Sequence, residues 1–138
     1  GPERNNIESQ IKALGLNNDV IITGFQEDVR PFISLCDCMV ITSHSETFSI
    51  AALEAMAMEK PMIMTNVGGA TEQIDHGKNG FIYAPGDVNA LADYMSQLFA
   101  TALRKKFGRS ALHTVKSEFS LDKMINKYEN LLCKIVNS

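Results

Sequence analysis

Two carboxylates stand out among the residues able to do chemistry. Glu46 and Glu54 have seven residues between them, in a stretch that passes from polar (Ser43, His44, Ser45, Thr47, Phe48, Ser49) to helix-forming (Ile50, Ala51, Ala52, Leu53, Ala55, Met56). A helix that starts there aims free backbone N–H groups and the positive end of its dipole at whatever lies in front of it, and an anion such as pyrophosphate suits that position. At a rise of 1.5 Å and a turn of 100° per residue the two carboxylates are expected at most about 12 Å apart and roughly 80° around the axis. Both could then serve one extended ligand, each accepting hydrogen bonds from a pair of hydroxyls. A second loop, carrying Gly68 and Gly69 ahead of Ala70, Thr71 and Glu72, allows close approach of backbone to phosphate or sugar.

Each feature has a structural reading as well. Ser43 and Glu46 fit a capping box, and an acidic residue near a helix N-terminus is mildly stabilising in any protein. Glu54 stands among Ala, Leu, Ile and Met where the helix is expected to be buried, and a carboxylate in such surroundings needs a partner. A Gly-Gly pair also serves tight turns. His76, Gly77, Lys78, Asn79 and Gly80 read as a turn into a strand, with no chemistry assigned. His44 and His113 read as surface or capping residues. Metal ligation by Cys36, Cys38 and His44 matches no familiar spacing.

The elements that must position these loops alternate. Short, nearly continuous apolar runs at residues 20–23, 38–42, 61–65 and 81–84 read as strands of a parallel sheet covered on both faces. Helical patterns fall at about 4–15, 28–36, 48–59, 71–76, 87–99, 101–117 and 121–136. Such alternation predicts a doubly wound, Rossmann-like α/β domain occupying residues 1–138. In such sheets ligands lie beyond the carboxyl ends of the strands, where both loops would fall. Along the last helix, Leu121, Met124, Ile125, Tyr128, Leu131, Leu132 and Ile135 recur at helical spacing and predict a buried face; packing against another domain is the alternative.

With 138 residues, 45% of them apolar, the chain can bury a core without disulfides or metal. A net charge of −3 gives no reason to expect nucleic acid as partner. Three cysteines, two of them (Cys36 and Cys38) in an apolar stretch, predict reduced, buried thiols and a cytosolic setting. No apolar run approaches the roughly 20 residues needed to cross a bilayer. Arg104, Lys105, Lys106 and Arg109 fall on a predicted surface helix, as a solvated face or, more pointedly, a contact for anionic lipid. Gly1 and Pro2 read either as a tag remnant or as the tail of a native turn.

The run from Glu46 through Glu54 to Pro61, followed by Gly68, Gly69, Ala70, Thr71 and Glu72, resembles the signature of the glycosyl transferases group 1 family, retaining enzymes of GT-B fold. The resemblance extends over nearly the whole chain: Gly1, Pro2, Glu3 and Arg4 look like the end of the family's Gly-x-Gly-Pro turn, and Asn79, Gly80, Phe81 and Pro85, Gly86, Asp87 fit as well. It implies the C-terminal, donor-binding half of a GT-B enzyme, truncated at its N-terminus. In that half Glu46, with Gly68 and Gly69, would meet the donor sugar. The amides of Thr47, Phe48 and Ser49 would hold the diphosphate, Glu54 would take the ribose hydroxyls, and Gly24, Phe25 and Gln26 would border the base. The family is typically metal-independent, and no Asp-x-Asp motif occurs here.

Thr47 and Ser49 stand where glycines are frequent, and Glu59 where a helix-ending glycine is usual, at a cost of roughly 1 kcal/mol if the backbone is left-handed there. The cations that neutralise the diphosphate in the family lie upstream of the Gly-Pro turn, as does the acceptor-binding domain, so residues 1–138 are expected to bind donor weakly and to transfer nothing alone. The resemblance thus implies a hexosyltransferase-type enzyme of polysaccharide, lipopolysaccharide or glycolipid synthesis. It would use no cofactor and take a nucleoside-diphosphate sugar, with UDP ahead of GDP or ADP. Its partners would be that donor, the N-terminal acceptor-binding domain and, peripherally, the inner face of a membrane, in the cytoplasm. The competing reading is a non-catalytic nucleotide-binding or interaction module of the same fold.

Overall fold

A computed structural model describes residues 2–136; Gly1, and with it the first position of the Gly-Pro turn, lies outside them. The order is α1 (Arg4–Ala13), α2 (Arg30–Leu35), β1 (Met39–Ile41), α3 (Ile50–Ala57), β2 (Met62–Thr65), α4 (Ala70–Gln73), β3 (Gly80–Tyr83), α5 (Val88–Gln97), α6 (Thr101–Glu118) and α7 (Leu121–Val136). The three strands form one parallel sheet in the order β1-β2-β3, with Met39 opposite Met62 and Met62 opposite Gly80.

The central strand shows why its sequence is apolar without alternation. Met62 and Met64 join a core shared with Ala52, Ala55 and Met56 of α3 and Ala111 of α6, whereas Ile63 points to the other face, among Phe81, Tyr83, Leu98 and Phe107. All four β2 residues are buried, as a strand covered by helices on both sides requires. Phe81 stacks on Tyr94 of α5 with centroids 4.3 Å apart and meets Phe107 of α6 edge-on at 5.2 Å. Helices therefore lie on both faces, as the alternation predicts.

Two predicted elements take a different form. Residues 20–23 enter no ladder, and Ile21 is 83% exposed, because no strand of the described chain lies beside them to accept their N–H groups; β propensity without a partner makes no sheet. The stripe on α7 is likewise not buried: Leu121, Tyr128, Leu132 and Ile135 are each about 60% exposed or more, although its first turn, at Leu121 and Met124, shares a hollow with Ile50 and Leu53 of α3. Helical periodicity is the same whether a face is covered from within the chain or from outside it. No disulfide joins the cysteines among the described residues, in line with reduced thiols, but Cys36 and Cys133 are exposed and only Cys38 is partly buried.

The end of α3 fixes how α6 crosses it. Glu59 adopts a left-handed φ of 58°, with Lys60 N–H donating to the Ala55 carbonyl at 3.0 Å and Glu59 N–H to that of Met56 at 3.1 Å. This is the paired bonding of a Schellman cap, here with a glutamate where glycine costs less. Gly108 of α6 rests on it: a Cβ at that position would lie 2.0 Å from the Glu59 carbonyl oxygen. Gly108→Ala is therefore expected to lower stability by roughly 1–3 kcal/mol through overpacking, and Glu59→Gly to raise it by roughly 1 kcal/mol, both read from urea midpoints at unchanged m-value.

Candidate functional site

The site grows from the loop between β1 and α3. Its start is tied to the sheet by Thr65 Oγ1, which donates to the Ser43 carbonyl at 2.6 Å. The capping box expected of Ser43 and Glu46 is not formed, because α3 begins later: its cap is Ser49, whose hydroxyl accepts from Ala52 N–H at 3.2 Å. Glu46 consequently lies in the loop, three residues before the cap, and the helical estimate of its separation from Glu54 does not apply.

The glycine loop packs directly on that segment. Gly69 N–H donates to the Thr47 carbonyl at 2.8 Å. Gly68, at φ 52°, leaves no room for a side chain, since a Cβ would meet the Glu46 carbonyl oxygen. Glu46 and the glycine pair, assigned together to the donor sugar, are thus neighbours. The Glu46 carboxylate is half-buried and accepts from the N–H of Thr47 at 3.1 Å.

Of the amides at the loop and helix start, some are spent and some are not. Thr47 N–H faces the Glu46 carboxylate, and Ser49 N–H donates to Gln73 Oε1 at 3.3 Å. Ser49 is buried, its N–H is spent on Gln73 and its hydroxyl oxygen accepts the cap bond from Ala52 N–H. Phe48, Ile50 and Ala51 N–H have no acceptor among the described residues. Of the three amides assigned, that of Phe48 is open; the other open donors, Ile50 and Ala51, sit one to two residues beyond Ser49, at the first turn of α3, where the helix dipole adds its positive end. Phe48 itself is propped edge-on against Phe119 at 5.5 Å.

Glu54, one turn on, is exposed rather than buried, so no protein partner is required to hold it. The apolar residues around it turn the other way: Ala52, Ala55 and Met56 face the core. Glu54 lines a cleft of about 260 Å³ with Ala51, Met39, Phe32, Gly24 and Gln26. The structure thereby brings together the residue assigned to ribose and two of the three assigned to the base, from segments nearly thirty residues apart. Gln26 Nε2 donates to the Thr23 carbonyl at 2.7 Å, which steadies that rim. Phe25 does not join it; its ring is 91% exposed and faces a different hollow, beside α1.

Among the described residues no three His, Cys, Asp or Glu side chains gather as metal ligands. Burial, and after it the Asp37 carboxylate, pushes the Cys38 thiol above its ordinary value, which disfavours the thiolate that reactivity or ligation needs. One residue of the site, Gln73, escaped the sequence reading, and Asn79 was read only as part of a turn. Both are buried polar groups: Gln73 accepts from Ser49 N–H, and Asn79 donates to the Gln73 carbonyl; the only sequence signal of Gln73 was a polar side chain directly beside an apolar residue.

Comparison with known proteins shows the family and the fold. The family model described as glycosyl transferases group 1 matches residues 1–114. The chain is 34% identical over 132 residues to N-acetyl-alpha-D-glucosaminyl L-malate synthase of Bacillus anthracis, covering 95% of this chain and 35% of that protein. It is 32% identical over 114 residues to the capsular polysaccharide biosynthesis glycosyltransferase CapM of Staphylococcus aureus, covering 82% and 30% respectively. It spans, then, about a third of the length of these relatives. Among solved structures, Anabaena HepE in complex with UDP superposes with a TM-score of 0.88 at 29% identity, over 94% of this chain and 36% of that one. The C-terminal domain of a glycosyl transferase group 1 family protein (LpcC) of Francisella tularensis gives 0.78 at 29% identity, over 86% and 63%. A parallel sheet with a helix start open at its carboxyl end, matched over residues 1–114 by the family model, settles the assignment: the chain belongs to the glycosyl transferases group 1 family, with the fold of its C-terminal GT-B domain.

Proposed function

We propose that residues 1–138 form a single domain that holds the nucleoside-diphosphate-sugar donor of a retaining glycosyltransferase. The observation that carries the reading is the cleft joining Glu54 to Gly24 and Gln26, one helical turn from the unengaged amides of Ile50 and Ala51. A nucleoside diphosphate has the same order of parts: a flat base, a diol and an anion. The base lies against Gly24 and Gln26 with Phe32 and Met39 as apolar walls, Phe25 contributing only if its loop turns inward. The ribose hydroxyls donate to the Glu54 carboxylate, a charge-assisted pair.

The diphosphate sits at the start of α3, on the amides of Phe48, Ile50 and Ala51, with Thr47 and Ser49 shaping the turn rather than donating. Beyond it the sugar reaches Glu46 and the backbone of Gly68 and Gly69. UDP is the favoured nucleotide, since HepE, a structural relative, was crystallised with UDP and with UDP-glucose. Catalysis consists in stabilising the departing diphosphate, whose developing charge the helix start meets without reorganisation.

The reaction further requires an N-terminal acceptor-binding half and the cations that in the family lie upstream of the Gly-Pro turn. We assign the whole protein to the assembly of a polysaccharide or glycolipid, in keeping with relatives such as a lipopolysaccharide core biosynthesis glycosyltransferase of Rhizobium meliloti. No helix of the described chain is long and apolar enough to cross a membrane. A cytoplasmic protein that touches the inner membrane face peripherally, through Lys105, Lys106 and Arg109 on α6, fits that role. A nucleic-acid partner does not fit a chain of net charge −3.

Calorimetry separates this reading from an interaction module that binds no nucleotide. Glu54→Ala is expected to weaken UDP about tenfold or more, the loss of a hydrogen-bonded charge worth roughly 1.5–3 kcal/mol. It should scarcely alter the affinity for an analogue lacking both the 2′- and 3′-hydroxyls; equal UDP affinity in wild type and variant contradicts the ribose assignment. Glu46→Ala is expected to leave UDP binding within about twofold while abolishing any preference for UDP-sugar over UDP; a preserved preference removes Glu46 from the sugar site.

A further inference from the structure

The side chain of Gln73 is 1% exposed and does one thing: it grips the peptide of Ser49 at both ends. Its Oε1 accepts from Ser49 N–H at 3.3 Å and its Nε2 donates to the Ser49 carbonyl at 2.8 Å, across 24 residues of sequence. A primary amide can both donate and accept in one plane, so it pairs with a peptide as a neighbouring β-strand would. The grip holds Ser49 extended, at φ −83° and ψ 111°, the conformation from which its hydroxyl reaches Ala52 N–H and α3 begins.

Gln73 is itself anchored. Its carbonyl accepts from Asn79 Nδ2 at 3.1 Å, the same nitrogen donates to Thr114 Oγ1 of α6 at 3.2 Å, and Asn79 Oδ1 accepts from Asp75 N–H at 2.9 Å. Thr114 Oγ1 completes the chain by donating to the Ser110 carbonyl at 3.1 Å. No buried side-chain nitrogen or oxygen among the described residues lacks a partner, so every polar atom of this network has at least one hydrogen bond to hold it.

We propose that Gln73 is a positioning residue for the diphosphate: by consuming the N–H of Ser49 and fixing its peptide, it directs the next two amides, of Ile50 and Ala51, outward as the anion seat. The inference rests on the placement of the diphosphate at the start of α3. It makes the buried chain from α6 through Asn79 to Gln73 a support for ligand geometry and not only for stability.

The test is calorimetry on the full-length protein with UDP and with uridine, in wild type, Gln73→Met and Thr114→Val. Methionine keeps the length of the side chain and removes both hydrogen bonds. The expected result is that wild type binds UDP more tightly than uridine, that Gln73→Met lowers UDP affinity about tenfold with uridine unchanged, and that Thr114→Val does the same about twofold to threefold. If Gln73→Met does not fold, the split between the two ligands in Thr114→Val decides. UDP and uridine weakened by the same factor, or neither weakened, overturns the positioning role and leaves Gln73 a structural residue. Equal affinity of wild type for UDP and uridine overturns the diphosphate seat itself, and the inference with it.

Discussion

A helix start that faces the open end of a parallel sheet leaves amide hydrogens with no carbonyl to accept them, and the surrounding structure is organised around which of those hydrogens stay free. Two loops meet at that point. The glycine pair after β2 lies so close to the segment before α3 that no side chain could stand at Gly68, and Gly69 N–H bonds to the Thr47 carbonyl. Gln73, one short helix on, takes the amide of Ser49. What remains open is a small set of donors in the first turn of α3, backed by its dipole.

That constraint explains the division of the helix. Ala52, Ala55 and Met56 face inward against the β2 methionines and Ala111 of α6, while Ile50, Ala51, Glu54 and Ala57 stay on the outer side. The small inner residues let α6 approach closely enough for Gly108 to touch the carbonyl of Glu59, and the same α6 carries Thr114, which anchors Asn79 and thereby Gln73. Packing on the buried face of α3 and geometry on its exposed face are therefore connected through one helix. A left-handed glutamate is tolerated at the end of α3 because the Schellman bonds and the Gly108 contact hold it there.

Much of this was legible in the residues alone. Apolar runs without alternation specified a sheet covered on both faces, and the central strand obeys that reading residue by residue. The order of elements placed the loops of Glu46 and of the glycine pair at the carboxyl end of the sheet, where the structure has them side by side. What was not legible depended on neighbours distant in sequence. Residues 20–23 have strand composition and no strand to pair with. The α7 stripe has the period of a core face and lies exposed. Glu54 sits among apolar residues that happen to face away from it. Gln73 carries no motif, and its role follows only from meeting Ser49 across 24 residues.

The central claim is that a nucleoside diphosphate spans from the Gly24 and Gln26 rim to the first turn of α3. Backbone amide resonances of the protein titrated with UDP address it most directly. The account predicts saturable shifts at Ile50 and Ala51, downfield as their N–H groups take up phosphate oxygens, together with shifts at Gly24 and Glu54, and little change along α5. Shifts confined to the hollow beside α1 or to the basic ridge of α6, with Ile50 and Ala51 unmoved at saturation, would contradict it.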